Sequence, residues 1–209
     1  IADSTSAEVF TPEDFTDEHR MIGDTCREYI DNEVVPSMPA LEAHDYEVGR
    51  QLLQKAGELG LLGANIPEEY GGMALDQTSG CIIAEMVGRG SGFGSTYGAQ
   101  TSIGLLPILY WGSEELKQEW IPKITSGEAV SAYCLTESSS GSDALGAKCV
   151  AKLSDDGQTW TLNGEKMWIT NGGFADVYLV FAKVDGEKEK FSCFLVPRSE
   201  NCRPGGEEH

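Results

Sequence analysis

Residues 128–143 read EAVSAYCLTESSSGSD, and the chain changes character there. An apolar run from Ala129 to Leu135 passes into one Thr, four Ser and one Gly, the way a strand ends in a polar loop. Upstream of this stretch the apolar residues recur every three or four positions. Downstream they come in short runs separated by turn residues. The change of period divides the chain into an all-α domain over 1–127 and a β-domain over 128–209, an α+β arrangement. No Gly/Ser-rich linker marks the boundary, so the two halves are expected to pack together.

Upstream, Thr16 is a suitable N-cap, with Asp17 and Glu18 in the first turn, where the helix dipole favours acids. Met21, Ile22, Cys26, Tyr29, Ile30 and Val34 then form an amphipathic stripe that is expected to end before Pro36. A second helix carries Leu52, Leu53, Ala56 and Leu59 and stops at Gly60, a C′ glycine. IPEEYGG (66–72) is a loop. Helical stretches follow at about 76–89 and 95–110, and Ser113 caps a shorter one that opens with Glu114 and Glu115.

Downstream, strand-like runs lie at 128–136, 147–153, 159–163, 165–169, 176–184 and 190–196. DDG (155–157), Asn163-Gly164, NGG (171–173) and Asp185-Gly186 stand between them, and Asn-Gly and Asp-Gly favour tight hairpins because both residues tolerate positive φ. Short strands at this interval predict an antiparallel barrel-like domain or sandwich. No GxGxxG stands between a strand and a helix, which leaves a Rossmann site without support.

The totals narrow the function classes. A chain of 209 residues is long enough to bury roughly 70% of its unfolded surface. The net charge is −19, from 34 acidic and 15 basic residues. Nucleic-acid binding needs clustered Lys and Arg and is excluded, as is an anionic membrane surface. No apolar run reaches the ~20 residues of a membrane helix, so no integral membrane segment is expected. The chain starts at Ile1, and no basic-then-apolar leader is visible, so secretion is not expected. The six cysteines form no CxxC pair and the three histidines are His19, His44 and His209. Zinc spacing is therefore absent, and the cysteines, mostly inside apolar runs, are expected to be buried free thiols in a reducing compartment.

Two stretches can carry chemistry. In YCLTESSSGSD (133–143), hydroxyls and backbone N–H groups around a Gly can cradle a phosphate or a heteroaromatic carbonyl; the plainer reading is a polar surface loop. In EKMWITNGG (165–173), Trp168 can stack on a planar cofactor and Thr170 can donate to a ring nitrogen. The plainer reading there is a buried Trp anchoring a strand before an ordinary turn.

Taken together, YCLTESSSGSD, NGEKMWITNGG and ADVYLVFAKV resemble the flavin-binding middle domain of the acyl-CoA dehydrogenase family. IPEEYGG, QTSIGLLPI (100–108) and GSEELKQEWIPKITSGE (112–128) resemble that family's N-terminal helical domain. The resemblance runs from about residue 15 to the end, and CLTESSSGSDA and VFAKV look most like long- or very-long-chain members. It implies FAD as cofactor and acyl-CoA as substrate. Cofactor contacts would come from Tyr133, Cys134, Leu135, Thr136, Gly141, Ser142, Trp168, Ile169 and Thr170. Thr136 would bond the pyrimidine side of the ring, Gly141 and Ser142 would lie near a phosphate, and Ser142 would also meet the acyl-CoA. Trp168 would pack on the ring, and Thr170 would lie near its N5. QTSIGLLP would form one wall of the acyl cavity. Ser138 departs from the Pro that many relatives carry there, which implies a looser loop.

The resemblance further implies α,β-dehydrogenation of a fatty acyl-CoA thioester, with electrons passed to an electron-transfer flavoprotein. It implies a homodimer or homotetramer in the bacterial cytoplasm or mitochondrial matrix. The family's catalytic Glu lies in a C-terminal four-helix domain that this chain is expected to lack, because GGEEH resembles a point inside the middle domain. No catalytic residue is therefore expected here, and Glu137 is expected to be a structural or solvent-facing partner. The chain alone is expected to be inactive and to hold FAD poorly. Alternatives are an acyl-CoA oxidase of the same fold, a non-catalytic acyl-CoA- or flavin-binding relative, and a purely structural protein.

Overall fold

The computed structural model describes residues 9–187, 189–199, 202 and 205. Of the GGEEH ending only Gly205 is among them. The helices are α1 (Asp17–Tyr29), α2 (Val35–Glu42), α3 (Tyr46–Glu58), α4 (Gln77–Val87), α5 (Gly92–Gly98), α6 (Leu106–Trp111) and α7 (Glu114–Thr125). The strands are β1 (Ser131–Cys134), β2 (Val150–Leu153), β3 (Trp160–Asn163), β4 (Val177–Val184) and β5 (Phe191–Pro197).

The helix starts follow cap chemistry. Thr16 Oγ1 accepts from the His19 N–H at 3.1 Å, Asp76 accepts from the Ser79 N–H at 2.8 Å, and Ser113 caps α7. Each satisfies one of the free N–H groups of a first turn. Gly60, at φ +75°, follows α3 as expected. The first stripe, however, does not stop before Pro36. A π-turn, Ile30–Val34, carries the backbone from α1 into α2, where Pro36 sits in the first turn.

The α+β class holds, but the sheet is mixed and not closed. β4 pairs parallel with β1 (Ser131 opposite Val177) and with β2 (Val150 opposite Lys183). Antiparallel pairing joins β4 to β5 and β2 to β3. The expected all-antiparallel barrel is therefore corrected. The expected strand over 165–169 is also absent. DDG and Asp185-Gly186 do turn β2 into β3 and β4 into β5, with Gly157, Asp185 and Gly186 at positive φ.

Parallel pairing and two-sided burial go together. Ala132 and Cys134 of β1 and Tyr178 of β4 pack with Cys26, Tyr29, Ile30, Leu53 and Phe93 of the helices. Val177 and Leu179 point the other way, into Leu105, Ile108, Ile121 and Ile124. Helices thus cover both faces of the β1–β4 ladder, and the two halves share their cores.

The fully buried Gln100 joins them further. Its Nε2 donates to Ile124 O (3.0 Å) and Ala129 O (2.8 Å), and its Oε1 accepts from the Ser131 N–H at 2.8 Å. It lies in a second π-turn, Ala99–Ile103. On the other side, the Arg50 guanidinium pairs with the Asp176 carboxylate, and that carboxylate also accepts from the Val130 N–H at 2.8 Å.

Candidate functional site

Strand β1 delivers Leu135 and Thr136 to its C-terminal end. Glu137 and Ser140 then close a tight turn, the Glu137 N–H donating to Ser140 O at 2.9 Å and the Ser140 N–H returning to Glu137 O at 3.1 Å. Ser138 and Ser139 form the exposed tip. Ser140 Oγ donates to Asp143 O at 2.6 Å, which sets the path of Gly141 and Ser142, both exposed. A Cβ added at Gly141 would meet nothing within 4 Å.

The second stretch is an irregular turn. Gly164 is extended, and Trp168 and Asn171 have φ of +55° and +65°. The Met167 N–H donates to Thr136 O at 3.0 Å, so the two stretches meet backbone to backbone. Asn171 is buried and fastens the far end, its Nδ2 donating to Thr96 O (3.1 Å) and Ser131 O (3.2 Å). Its Oδ1 is buried without a hydrogen-bond partner among the described residues. A cavity of about 270 Å³ adjoins this end, lined by Met38, Leu41, Phe93, Thr96, Asn171 and Phe174 among others.

Trp168 is 75% exposed. A bulky residue in the left-handed region is uncommon, and an indole with so little packing does not stabilise the turn by burial. Strain and exposure at one aromatic residue mark this turn as a candidate site. Thr170 is exposed beside it, Thr136 and Ile169 are half-buried, and Ile169 leans on the helical core. Tyr133 packs on Phe181, ring centroids 4.8 Å apart. The Cys134 side chain is turned into the core, and burial pushes its thiol up to about 12; only its backbone is placed to meet a ligand. Within 100–103, Gln100 is committed to packing, while Ile103 is half exposed. An exposed indole, hydroxyls on the same two turns and open space at Gly141 suit a planar, hydrogen-bonding, phosphate-bearing ligand.

Two residues outside the expected contact set organise this place. Glu137 is 7% exposed. Its carboxylate accepts from the backbone N–H of Cys149 (3.0 Å) and Lys148 (2.5 Å) and from Lys166 Nζ at 2.7 Å. Burial alone would raise this carboxyl, but the hydrogen bonds from Lys166, Lys148 and Cys149 outweigh it and hold the group below the ordinary glutamate range. Lys166 Nζ also donates to Leu135 O at 3.0 Å. Glu137 is thus a structural partner, and not a solvent-facing one. Lys166 was readable only as a charge within a supposed strand.

Comparison with known proteins places the chain. The model of the acyl-CoA dehydrogenase N-terminal domain matches residues 16–128, and that of the middle domain matches residues 132–207. The chain belongs to the acyl-CoA dehydrogenase family. It is 52% identical over 198 residues to a probable acyl-CoA dehydrogenase of Bacillus subtilis (strain 168), covering 95% of this chain and 33% of that protein. It is 45% identical over 149 residues to the human mitochondrial very long-chain specific acyl-CoA dehydrogenase, covering 68% of this chain and 23% of that one. Among solved structures, an acyl-CoA dehydrogenase from Bacillus anthracis complexed with FAD aligns at a TM-score of 0.91 and 52% identity, over 94% of this chain and 34% of that chain. The chain thus spans about a third or less of these relatives' lengths. Within the family frame, Gln100 of the matched N-terminal domain bonds Ile124 of the same domain and Ala129 and Ser131 of the short segment between the two matched domains.

Proposed function

We propose that these residues supply the helical part and the flavin-facing turns of an FAD-dependent acyl-CoA dehydrogenase, acting on the α,β carbon–carbon bond of fatty acyl-CoA thioesters. The observation that carries this reading is the backbone bond from Met167 to Thr136, which sets Trp168 and the serine-rich turn beside each other. Trp168 offers its indole to a ring face. Thr136 and Thr170 offer hydroxyls to ring heteroatoms, and Ile169 closes the apolar side. Tyr133, Cys134 and Leu135 contribute through the end of β1. Gly141 and Ser142 approach a phosphate, with Ser142 also facing acyl-CoA.

Dehydrogenation removes a proton from the acyl Cα and a hydride from Cβ. FAD, when bound, supplies the hydride acceptor. The residues here orient the ligands and exclude water. Proton abstraction needs a carboxylate with free lone pairs. Glu137 accepts three hydrogen bonds and is held ionised by them, a poor base. Glu137 is therefore not offered as the base, and the family resemblance, in which a Glu of a C-terminal helical domain takes the proton, assigns that step to a carboxylate outside these 209 residues. The same reading takes an electron-transfer flavoprotein as acceptor, a homodimer or homotetramer as the assembly, and the bacterial cytoplasm or mitochondrial matrix as the compartment.

The test is the visible spectrum of the full-length protein. It should show flavin absorbance that bleaches when a saturated long-chain acyl-CoA is added without oxygen. A colourless protein that takes up no added FAD overturns the reading.

A further inference from the structure

Two turns that must face one ring are far apart in sequence, and neither belongs to the sheet at its working end. The β1 ladder stops at Cys134, paired with Val180. Beyond it, one backbone bond joins the serine-rich turn to the Trp168 turn, from the Met167 N–H to Thr136 O. A single exposed-edge bond is too weak to fix two loops against thermal motion. The Glu137–Lys166 pair lies directly behind it. The side chains are 6% and 9% exposed. Glu137 precedes the serines and Lys166 stands two residues before Trp168. The carboxylate also holds the Lys148 and Cys149 N–H groups, where the chain returns from the serine loop toward β2. The ammonium also holds Leu135 O, at the end of β1. The pair therefore ties together β1, the serine turn, the approach to β2 and the Trp168 turn.

We propose that Glu137 and Lys166 form a positioning clamp that holds the serine-rich turn and the Trp168 turn in register, so that Thr136 and Trp168 present to the same ring. This rests on the flavin reading above for its purpose, but the clamp itself is a property of the fold. Here the buried carboxylate accepts three hydrogen bonds and the ammonium donates two, and losing one partner leaves the other charge buried and unpaired. The pair carries no net charge, so it orders the turns without adding a net charge beside the ligand.

The experiment is amide hydrogen exchange on the full-length protein and its Lys166→Met and Glu137→Gln variants, together with titration of each with FAD. The expected result is that exchange at Met167, Lys148 and Cys149 speeds at least tenfold in both variants, while Leu179 in β4 keeps wild-type protection. FAD affinity should fall at least tenfold, and a merely structural pair would lower melting temperature without moving it. Wild-type protection at Met167 in a folded variant overturns the clamp. So does tenfold faster exchange with unchanged FAD affinity. If Lys166→Met does not fold, Glu137→Gln, which keeps the side-chain size, decides alone. Should the wild-type protein take up no FAD, the flavin reading fails, and the exchange data still decide whether the pair holds the turns together.

Discussion

The Met167 N–H lies 3.0 Å from the Thr136 carbonyl, and this bond brings an exposed indole and a serine-rich turn, thirty-two positions apart in the sequence from Thr136 to Trp168, to one place on the surface. The position of Trp168 can be separated from its contribution to stability.

Replacing Trp168 by Gly removes little packing, because the side chain is 75% exposed. It also relieves a positive φ that costs a non-glycine residue roughly 1–2 kcal/mol, an amount the extra backbone freedom of Gly offsets by about 0.5–1 kcal/mol. Urea denaturation should therefore give a stability within about 1 kcal/mol of wild type. FAD affinity should fall roughly tenfold or more, since an aromatic stacking contact contributes ~0.5–1.5 kcal/mol beyond its buried area. A drop in stability with unchanged affinity would mean that the indole is a structural anchor.

Gln100→Leu should be far more damaging. It leaves the Ser131 N–H and the Ala129 carbonyl buried without their partner, at about 1–3 kcal/mol for each unsatisfied group, while Ile124 O keeps the Gly127 N–H at 3.2 Å. We expect a loss of ~2–6 kcal/mol in chemical denaturation. Both the helical and the sheet signals should shift together.

The pH dependence follows from Glu137. Its folded-state pKa is lowered, so the folded state binds the proton less readily than the unfolded one. The stability this contributes is fully present above the unfolded-state value, about 4.3 for a glutamate, and is lost as pH falls through the lower folded-state value. Asp76, held at about 2 by the Ser79 N–H and His19, adds in the same direction. Denaturation midpoints should fall steeply below about pH 4. The fall should be shallower in Glu137→Gln than in the wild type; an identical slope would place the acid sensitivity elsewhere.

Thiol chemistry provides a simple check on burial. Cys26 and Cys134 lie in the core, and burial pushes their thiols up to about 11 and about 12. Cys81 is exposed. With a disulfide reagent at pH 8, Cys81 should react within the first phase, and Cys26 and Cys134 only when denaturant is added. Fast labelling of Cys134 in the native protein would contradict the packing of β1 against the helices.

Much of the helical half was readable because its signals are local. A hydroxyl at Thr16 or Ser113 caps whatever follows it, and Gly60 reports its own φ. The motifs at 133–143 and 165–173 were readable for the same reason. What escaped was set by distant partners. Residues 165–169 have strand-like composition, yet Lys166 is drawn to Glu137 and the backbone at Trp168 turns left-handed, so no ladder forms. The parallel pairing of β1 and β2 with β4 depends on helices covering both faces, which no run of residues announces. Glu137 looked like one acid among 34, and only its contacts with Lys148, Cys149 and Lys166 reveal its place. The fate of Pro36 was missed because a π-turn leaves almost no trace in composition.

That π-turn makes the count of residues between α1 and α2 matter more than their identity. A π-turn accommodates one residue more than an ordinary turn. Deleting one position from Ile30–Val34 would remove the extra residue and restore regular winding with the helix after it in nearly the same phase; deleting a second would swing everything after it by about 100°. Met38 and Leu41 would then leave the wall they share with Phe174 and Asn171, even though each remained in a well-formed helix. The register of the helix, and not the strength of any one contact, fixes this side of the molecule.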